Sequence, residues 1–281
     1  MRIIVADRAG ACYGVERALK IVLKASKDLE TVHTLGPLIH NPIVVSDLED
    51  KGIGVVNDVD QPSGTGIVIR SHGVIPSVEK QARDNGLNVI DATCPFVKKV
   101  HVNAAKLEKE GYQVVIVGEA GHPEVEGILG HAPSASVVGS KQEAIDLEVG
   151  RKVGIVVQTT QSASLLRDVV SEIAPRCDEL RVINTICEAT SERQDAAATL
   201  ASKADCMIIV GGKMSANTTR LYEICAGVCS NTHHIESKDE IDACWFEGVD
   251  TLGITAGAST PESHIMQVKE YIEELVENKC N

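Results

Sequence analysis

Short apolar runs alternate with stretches of helical periodicity along this chain, and the alternation occurs three times. The first group contains the runs RIIVA, VHTLG, GIGVV and GIVIRS, with helical stretches at VERALKIVLKASKDLE and SVEKQARDN. The second contains NVIDA, YQVVIVG, ASVVG and VGIVV, with VKKVHVNAAKLEKEG as a helix. The third contains RVINT, DCMIIVGG, THHIE and TLGITAG, with ERQDAAATLASKA and a closing HIMQVKEYIEELVEN as helices. Strands that alternate with helices are typical of parallel sheets, so the pattern predicts an α/β fold.

A cysteine follows the opening run of each group, and a polar residue stands 28 positions after each cysteine. The three pairs are Cys12 with His40, Cys94 with His122, and Cys187 with Ser215. Constant spacing of this kind indicates one α/β unit used three times. We therefore predict three small domains around a pseudo-threefold axis, each a parallel sheet flanked by helices. Their predicted bounds are residues 1–92, 93–185 and 186–281, the last with a C-terminal helix.

Composition excludes several classes of protein. A formal net charge of −13 and an aromatic content of 2% argue against a nucleic-acid binder, which needs a basic surface. We find no apolar run of about 18 residues, the length that crosses a bilayer. The start MRIIVADRAG meets Asp7 and Arg8 before a signal-peptide core could form, so we expect a cytoplasmic protein without membrane partners.

The nine cysteines form no close C-x-x-C pair, which favours thiols or metal ligands over a disulfide framework. Thiolates select zinc, copper(I) or iron-sulfur clusters. Three equivalent thiols suit a cubane cluster with one iron left open, although a single cysteine is often only a small buried residue. We assign structural or surface positions to the remaining six cysteines, which are Cys177, Cys206, Cys225, Cys229, Cys244 and Cys280. Cys225 and Cys229 are one helical turn apart, but no further metal ligand is evident beside them.

The polar positions of the repeat all follow strands, at the sheet edge where ligands bind in open α/β proteins. Helices that begin there direct backbone N–H groups towards an anion, and we expect a phosphate. His40 and His72 could ligate a metal or hold phosphate. Glu124 begins a helix, and it is either a plain N-terminal acid or, if desolvation raises its pKa, a proton donor. Further side chains could complete a hydrogen-bonding cradle, namely Gln158, Thr159, Thr160, Ser215, Asn217 and Ser259.

Nine motifs in order resemble the family of 4-hydroxy-3-methylbut-2-enyl diphosphate reductases, the LytB/IspH family, over essentially the whole chain. They are AGACYGVERA, LGPLIHNP, RSHGV, DATCPFV, GEAGHPEVEG, VQTTQS, INTICEAT, GGKMSANTTRL and TAGASTPES. The resemblance implies three α/β domains around a 4Fe-4S cluster with three cysteine ligands and one open iron. The implied ligands are Cys12, Cys94 and Cys187.

The resemblance also implies the reaction. Two electrons and two protons remove the allylic hydroxyl group, giving isopentenyl and dimethylallyl diphosphate. Glu124 would deliver a proton and Thr159 would contact the reacting hydroxyl group, with His122 beside them. The implied diphosphate ligands are His40, His72, His122, Ser215, Asn217 and Ser259. Because the chain has no evident nicotinamide or flavin motif, we expect a ferredoxin or flavodoxin as electron donor.

One position departs from the family pattern. Ala216 stands where many members carry a second serine, so one hydroxyl contact to the diphosphate is missing. The backbone N–H of Ala216, with Ser215 and Asn217, can compensate, and we expect an effect on affinity but not on reaction type.

Two other functions use the same residues. A zinc-dependent phosphatase would use thiolate and histidine ligands with Glu124 as base, and would contain zinc without acid-labile sulfide. An iron-sulfur sensor or scaffold would bind a diphosphate metabolite without turnover. His101, His33, His131, His233, His234 and His264 match no position of the repeat, and we assign them structural roles.

Overall fold

The computed structural model describes residues 1–279, which form twelve strands and ten α-helices. The strands are β1 Arg2–Val5, β2 Val32–Leu35, β3 Gly54–Val56, β4 Gly66–Ile69, β5 Asn88–Asp91, β6 Gln113–Val117, β7 Ser136–Val138, β8 Lys152–Val157, β9 Glu179–Val182, β10 Cys206–Val210, β11 Thr232–Ile235 and β12 Thr251–Ala256. The helices are α1 Tyr13–Asp28, α2 Pro42–Glu49, α3 Pro76–Asp84, α4 Pro95–Lys109, α5 Pro123–His131, α6 Lys141–Asp146, α7 Ala163–Ile173, α8 Glu188–Ala201, α9 Ala216–Ala226 and α10 Glu262–Lys279.

The strands form three parallel sheets of four strands each. The order is β3-β2-β4-β5 in the first sheet, β7-β6-β8-β9 in the second and β11-β10-β12-β1 in the third. Corresponding strands therefore occupy the same place in every sheet. This repeated order confirms the predicted fold class of parallel sheets flanked by helices.

The assignment of the opening strands differs from the prediction. RIIVA, predicted in the first sheet, is β1 and pairs with β12 in the third. NVIDA, predicted to open the second group, supplies β5 at the edge of the first sheet. In the same way, RVINT begins within β9 at the edge of the second sheet. The local pattern identifies a strand but not its partner, because pairing joins positions as distant as Arg2 and Thr251.

Each cysteine of the repeat consequently lies where the chain leaves one sheet and enters the helix that precedes the next sheet. The predicted domain boundaries at residues 92 and 185 fall shortly after the edge strands β5 and β9. The division into three domains at these residues stays a prediction.

Contacts between residues divide the chain into two compact units. The first unit contains Met1–Tyr13, His40–Pro42 and the chain from Glu188 onward, and it holds the third sheet. The second unit contains Gly14–Ile39 and Ile43–Cys187, and it holds the first and second sheets.

The third sheet is covered by helices on both faces, as the pleat of its central strand requires. Met207 and Ile209 face α8 and α9, where they pack with Leu200 and Leu221. Ile208 and its neighbours face the opposite way and pack against α10. Burial of both faces explains why DCMIIVGG is continuously apolar.

The second sheet has the same construction. Val114 and Ile116 face α4 and α5, while Val115 and Val117 face α7. Prolines occupy the first position of α3, α4 and α5, where a missing backbone N–H costs no helical hydrogen bond. These prolines place the helix starts directly after the loops that carry the candidate site. None of the helices within residues 1–279 combines the length and apolar character needed to cross a bilayer.

Candidate active site

The three cysteines of the repeat have the same backbone environment. The N–H of Cys12 donates to the carbonyl of Ala258 at 3.1 Å, that of Cys94 to Ser71 at 2.9 Å, and that of Cys187 to Thr159 at 3.0 Å. Each acceptor stands two residues after the third strand of its sheet, namely β12, β4 or β8. The three thiols are half-buried. The repeat therefore places a half-buried thiol at an equivalent corner of each sheet.

Glu124 lies in the first turn of α5 and is buried, with 1% of its surface exposed. Its Oε1 accepts the backbone N–H of Thr159 at 2.6 Å, and its Oε2 accepts the hydroxyl of Thr159 at 2.7 Å. The carbonyl of Thr159 accepts the N–H of Cys187. A continuous set of hydrogen bonds thus connects the carboxyl group to the loop of one candidate ligand.

Burial raises the pKa of Glu124 from its ordinary range to about 7, because the ionised carboxylate loses its hydration. The two hydrogen bonds from Thr159 favour the ionised form and lower the pKa, but desolvation has the larger effect. Glu124 can therefore hold a proton near neutral pH, as required of a proton donor.

His122 is the N-cap of α5, and its Nδ1 accepts the backbone N–H of Glu124 at 3.1 Å. An accepting Nδ1 leaves the proton of the neutral ring on Nε2. The ring of His72 meets that of His122 edge to face, with centroids 5.7 Å apart. Within the second unit, the structure therefore brings His72, His122, Glu124 and Thr159 together.

Gln158 does not belong to the cradle that the sequence suggested. Its side chain is fully buried, where Oε1 accepts the N–H of Glu119 and Nε2 donates to the hydroxyl of Thr160. The amide is therefore used to hold two neighbouring loops.

Within the first unit, Ser215 and Asn217 lie at the start of α9. Ser215 is the N-cap, and its hydroxyl accepts the N–H of Thr218. Asn217 is 4% exposed, and neither its Oδ1 nor its Nδ2 has a hydrogen-bond partner among residues 1–279. A buried amide without partners costs free energy unless a ligand satisfies it. Asn217 is therefore suited to hold a polar ligand.

The loops of His40 and Ser259 join Ser215 and Asn217 in the first unit. The hydroxyl of Ser259 donates to the carbonyl of His40 at 3.3 Å. A Cβ atom on Gly212 would lie 2.5 Å from the same carbonyl oxygen, so only glycine permits this approach. Five of the predicted substrate-binding positions, His40, Ser215, Ala216, Asn217 and Ser259, consequently lie in this unit.

The predicted metal ligands are divided between the units, with Cys12 in the first and Cys94 and Cys187 in the second. Within the described part of the chain, no group of three or more His, Cys, Asp or Glu side chains is arranged to hold a metal ion. The ligand set therefore stays a proposal. Cys225 and Cys229 pack in the core of the third sheet, in agreement with their predicted structural role, and Cys280 lies outside the described residues.

Three residues near these loops have no signal in the repeat. Asn41 is buried and donates from Nδ2 to the carbonyl of Ser259 at 2.9 Å. Arg17 donates to the carbonyls of Ala92 and Thr93, immediately before Cys94. Arg193 donates to the carbonyl of Gly10, just before Cys12. Polar residues at such positions are common, so only the contacts in the folded chain show that these three side chains hold the loops of Ser259, Cys94 and Cys12.

Comparison with known proteins assigns the chain to a family. The family model described as LytB protein matches residues 3–273. The chain is similar to the 4-hydroxy-3-methylbut-2-enyl diphosphate reductase of Pelobacter propionicus, with 49% identity over 100% of both chains. It is also similar to that of Geobacter sulfurreducens, with 48% identity over 99% of both, and to that of Aquifex aeolicus, with 46% identity over 99% of this chain and 98% of the other.

Solved structures agree. A structure of (E)-4-hydroxy-3-methyl-but-2-enyl diphosphate reductase, described as the terminal enzyme of the non-mevalonate pathway, is 47% identical and matches with a TM-score of 0.70 over 98% of this chain and all of that one. The E-1-hydroxy-2-methyl-but-2-enyl-4-diphosphate reductase from Plasmodium falciparum is 28% identical, with a TM-score of 0.91 over 96% of this chain and 87% of that one. This chain therefore belongs to the LytB protein family.

Proposed function

We propose that this chain converts 4-hydroxy-3-methylbut-2-enyl diphosphate to isopentenyl diphosphate and dimethylallyl diphosphate, the last step of the methylerythritol phosphate route to isoprenoids. The observation that carries the proposal is the buried Glu124 carboxyl group, with a pKa of about 7, held by both hydrogen-bond donors of Thr159. Family membership gives the reaction in which such a proton donor is needed.

The reaction breaks the bond between the allylic carbon and its hydroxyl oxygen. Two electrons and two protons enter, and the oxygen leaves as water. In the proposal Glu124 supplies a proton to the departing oxygen, and the hydroxyl of Thr159 contacts the same group. The hydrogen bonds of Thr159 hold both oxygens of the Glu124 carboxyl group, which keeps its orientation constant.

A 4Fe-4S cluster would be held by Cys12, Cys94 and Cys187, with one iron open. The fit is supported by their half-buried thiols and by the equivalent backbone hydrogen bond of each. When bound, such a cluster supplies electrons and a Lewis-acidic iron. The buried Cys206 and Cys225 suit this role less well, because burial raises the pKa of each thiol to about 12 and disfavours the thiolate.

The diphosphate would be held by the polar side chains that the family resemblance implies. Asn217 supports this most directly, since its amide is buried and has no partner within residues 1–279. The start of α9 adds backbone N–H groups, and the starts of α5 and α9 both add the positive end of a helix dipole. The proposed set is His40, His72, His122, Ser215, Asn217 and Ser259, with the backbone N–H of Ala216. A ferredoxin or flavodoxin is proposed as electron donor, and a cytoplasmic location stays a prediction.

Anaerobic purification, an iron and acid-labile sulfide assay, and turnover of the hydroxylated diphosphate with dithionite-reduced methyl viologen test the proposal. We expect iron, sulfide and both isoprenoid products. Zinc without sulfide, together with phosphate release, would instead identify a phosphatase. Iron and sulfide with substrate binding but no turnover would identify a sensor or scaffold.

A further inference from the structure

The helix that follows Cys94, α4, exposes two large apolar side chains to solvent. Phe96, two residues after Cys94, is 46% exposed, and Val102 on the same helix is 67% exposed. Exposed apolar side chains mark an interaction site when they belong to one continuous surface patch. With Lys99 and Lys106 at helical spacing, they form a row on the solvent side of α4, which we call the α4 stripe: Phe96, Lys99, Val102 and Lys106.

The α4 stripe is also positively charged, although the whole chain carries −13. Lys99 is exposed and makes no ion pair within residues 1–279. Lys106 lies 3.8 Å from Glu110, a long and exposed contact that neutralises it only weakly. Lys98, beside the stripe, pairs with Asp91 and adds little net charge.

The helices that follow the other two cysteines carry an acidic residue in their first turn. Tyr13, next to Cys12, is 63% exposed, but Glu16 lies in the same helical turn, whereas the first turn of α4 contains no acidic residue. The helix that follows Cys187 begins with the exposed acid Glu188. An exposed aromatic side chain with no acidic residue in the same helical turn therefore occurs beside Cys94 and not beside Cys12 or Cys187.

We propose that the α4 stripe docks an acidic one-electron carrier protein, so that electrons enter the enzyme beside Cys94. The inference rests on the proposed function. Each carrier molecule is oxidised by one electron, and two such transfers supply the electrons consumed when the C–O bond breaks and water leaves. Apolar side chains bordered by charge are suited to a transient complex, in which electrostatic attraction raises the association rate. Since Cys94 is the N-cap of α4, the stripe begins within the first helical turn after this residue.

The test compares two electron sources on the anaerobic holoenzyme. Reduced acidic ferredoxin requires docking, whereas dithionite-reduced methyl viologen is a small dye that does not. Reversing both charges, Lys99→Glu with Lys106→Glu, should raise the KM for ferredoxin about tenfold and leave turnover with the dye within about twofold of the parent protein. Phe96→Ala should raise the same KM. Rising salt should raise the ferredoxin KM of the parent protein and affect the doubly reversed variant less.

The matched control is Lys141→Glu, an exposed lysine on α6 that should change neither reaction. Calorimetric binding of oxidised ferredoxin gives a second measure that needs no turnover, and the double reversal should weaken it about tenfold. An unchanged ferredoxin KM and affinity in the double variant would overturn the docking site, as would a rise caused by Tyr13→Ala alone. Failure of the parent protein with the dye would instead contradict the proposed function, while the binding measurement would still decide the docking site.

Discussion

At the scale of single residues, burial changes the pKa of the Glu124 carboxyl group. Its position in the first turn of α5 would favour ionisation, since the helix dipole stabilises negative charge there. Burial outweighs this effect and the hydrogen bonds from Thr159, and the pKa rises to about 7. The proton donation proposed for Glu124 therefore depends on burial, which the local sequence does not reveal.

We expect the rate of the chemical step to fall as the pH rises above about 7, because the raised pKa of Glu124 means that its proton is present below this pH and lost above it. Glu124→Gln should reduce kcat at least about 100-fold and remove this pH dependence. Glu126→Gln, at an exposed acid of the same helix turn, is the control and should leave the profile of kcat against pH unchanged. An E124Q variant that retained the parent profile would exclude Glu124 as the proton donor.

Ala216 allows a second prediction at this scale. Ala216→Ser should add a hydroxyl at the start of α9, next to Asn217, whose amide has no hydrogen-bond partner within residues 1–279. One extra hydrogen bond of about 1 kcal/mol would lower the KM for the diphosphate substrate about fivefold, with the same two products. Steady-state kinetics with product analysis measure both quantities. An unchanged KM would show that the missing hydroxyl is irrelevant.

At the scale of elements, arginine side chains on two helices donate hydrogen bonds to the loops before Cys12 and Cys94. Arg193 on α8 is 3% exposed and donates to the carbonyls of Ala189 and Gly10. The bond to Gly10 attaches this helix to the backbone two residues before Cys12. Arg17 on α1 makes the equivalent contact to the loop before Cys94. The loops of two candidate ligands are thus held in part by arginines on helices that are distant in the sequence or in the chain order.

Arg193→Gln should loosen the Cys12 loop, because about 1.5–3 kcal/mol is lost with a hydrogen bond to a charged group. We expect a lower thermal unfolding temperature and less iron retained after anaerobic gel filtration. Arg151→Gln, at an exposed arginine paired with Asp178, should change neither quantity. Full iron retention in R193Q would show that the contact does not position the ligand loop.

At the scale of the whole molecule, one sheet topology is used three times, and the chain passes a cysteine each time it leaves a sheet. The proposed cluster requires the thiols of all three of these cysteines, Cys12, Cys94 and Cys187. Cysteines elsewhere, such as Cys225 in the core of the third sheet, are expected to be irrelevant to it.

Cys94→Ser should therefore remove most bound iron and sulfide and abolish turnover, because a serine oxygen is a poor ligand for this type of cluster. Cys225→Ala should retain iron and turnover, with at most a loss of stability from the small cavity. Iron and sulfide assays on anaerobically purified protein, with circular dichroism to verify folding, measure the difference. Equal cluster content in the two variants would contradict the ligand set.

Much of the fold was predictable, and the reasons differ from residue to residue. The strand and helix around Cys94 follow from alternating periodicity, and the equivalence of His40, His122 and Ser215 follows from constant spacing. The placement of β1 was wrong, because its partner strand is about 250 residues away in the chain. Gln158 was assigned to the ligand cradle, yet its amide is used by Glu119 and Thr160.

The order of strands and helices, the position of each cysteine at a corner between them, and the family could all be read from the chain alone. These features depend on residues close together in the sequence, whose periodicity and motifs are directly visible. Only the folded chain shows which sheet contains β1 and that the pKa of Glu124 is raised. It also shows that the Asn217 amide is buried without a partner among the described residues. They depend on burial and on hydrogen bonds between distant segments, such as Asn41 with Ser259, and no local pattern encodes such contacts.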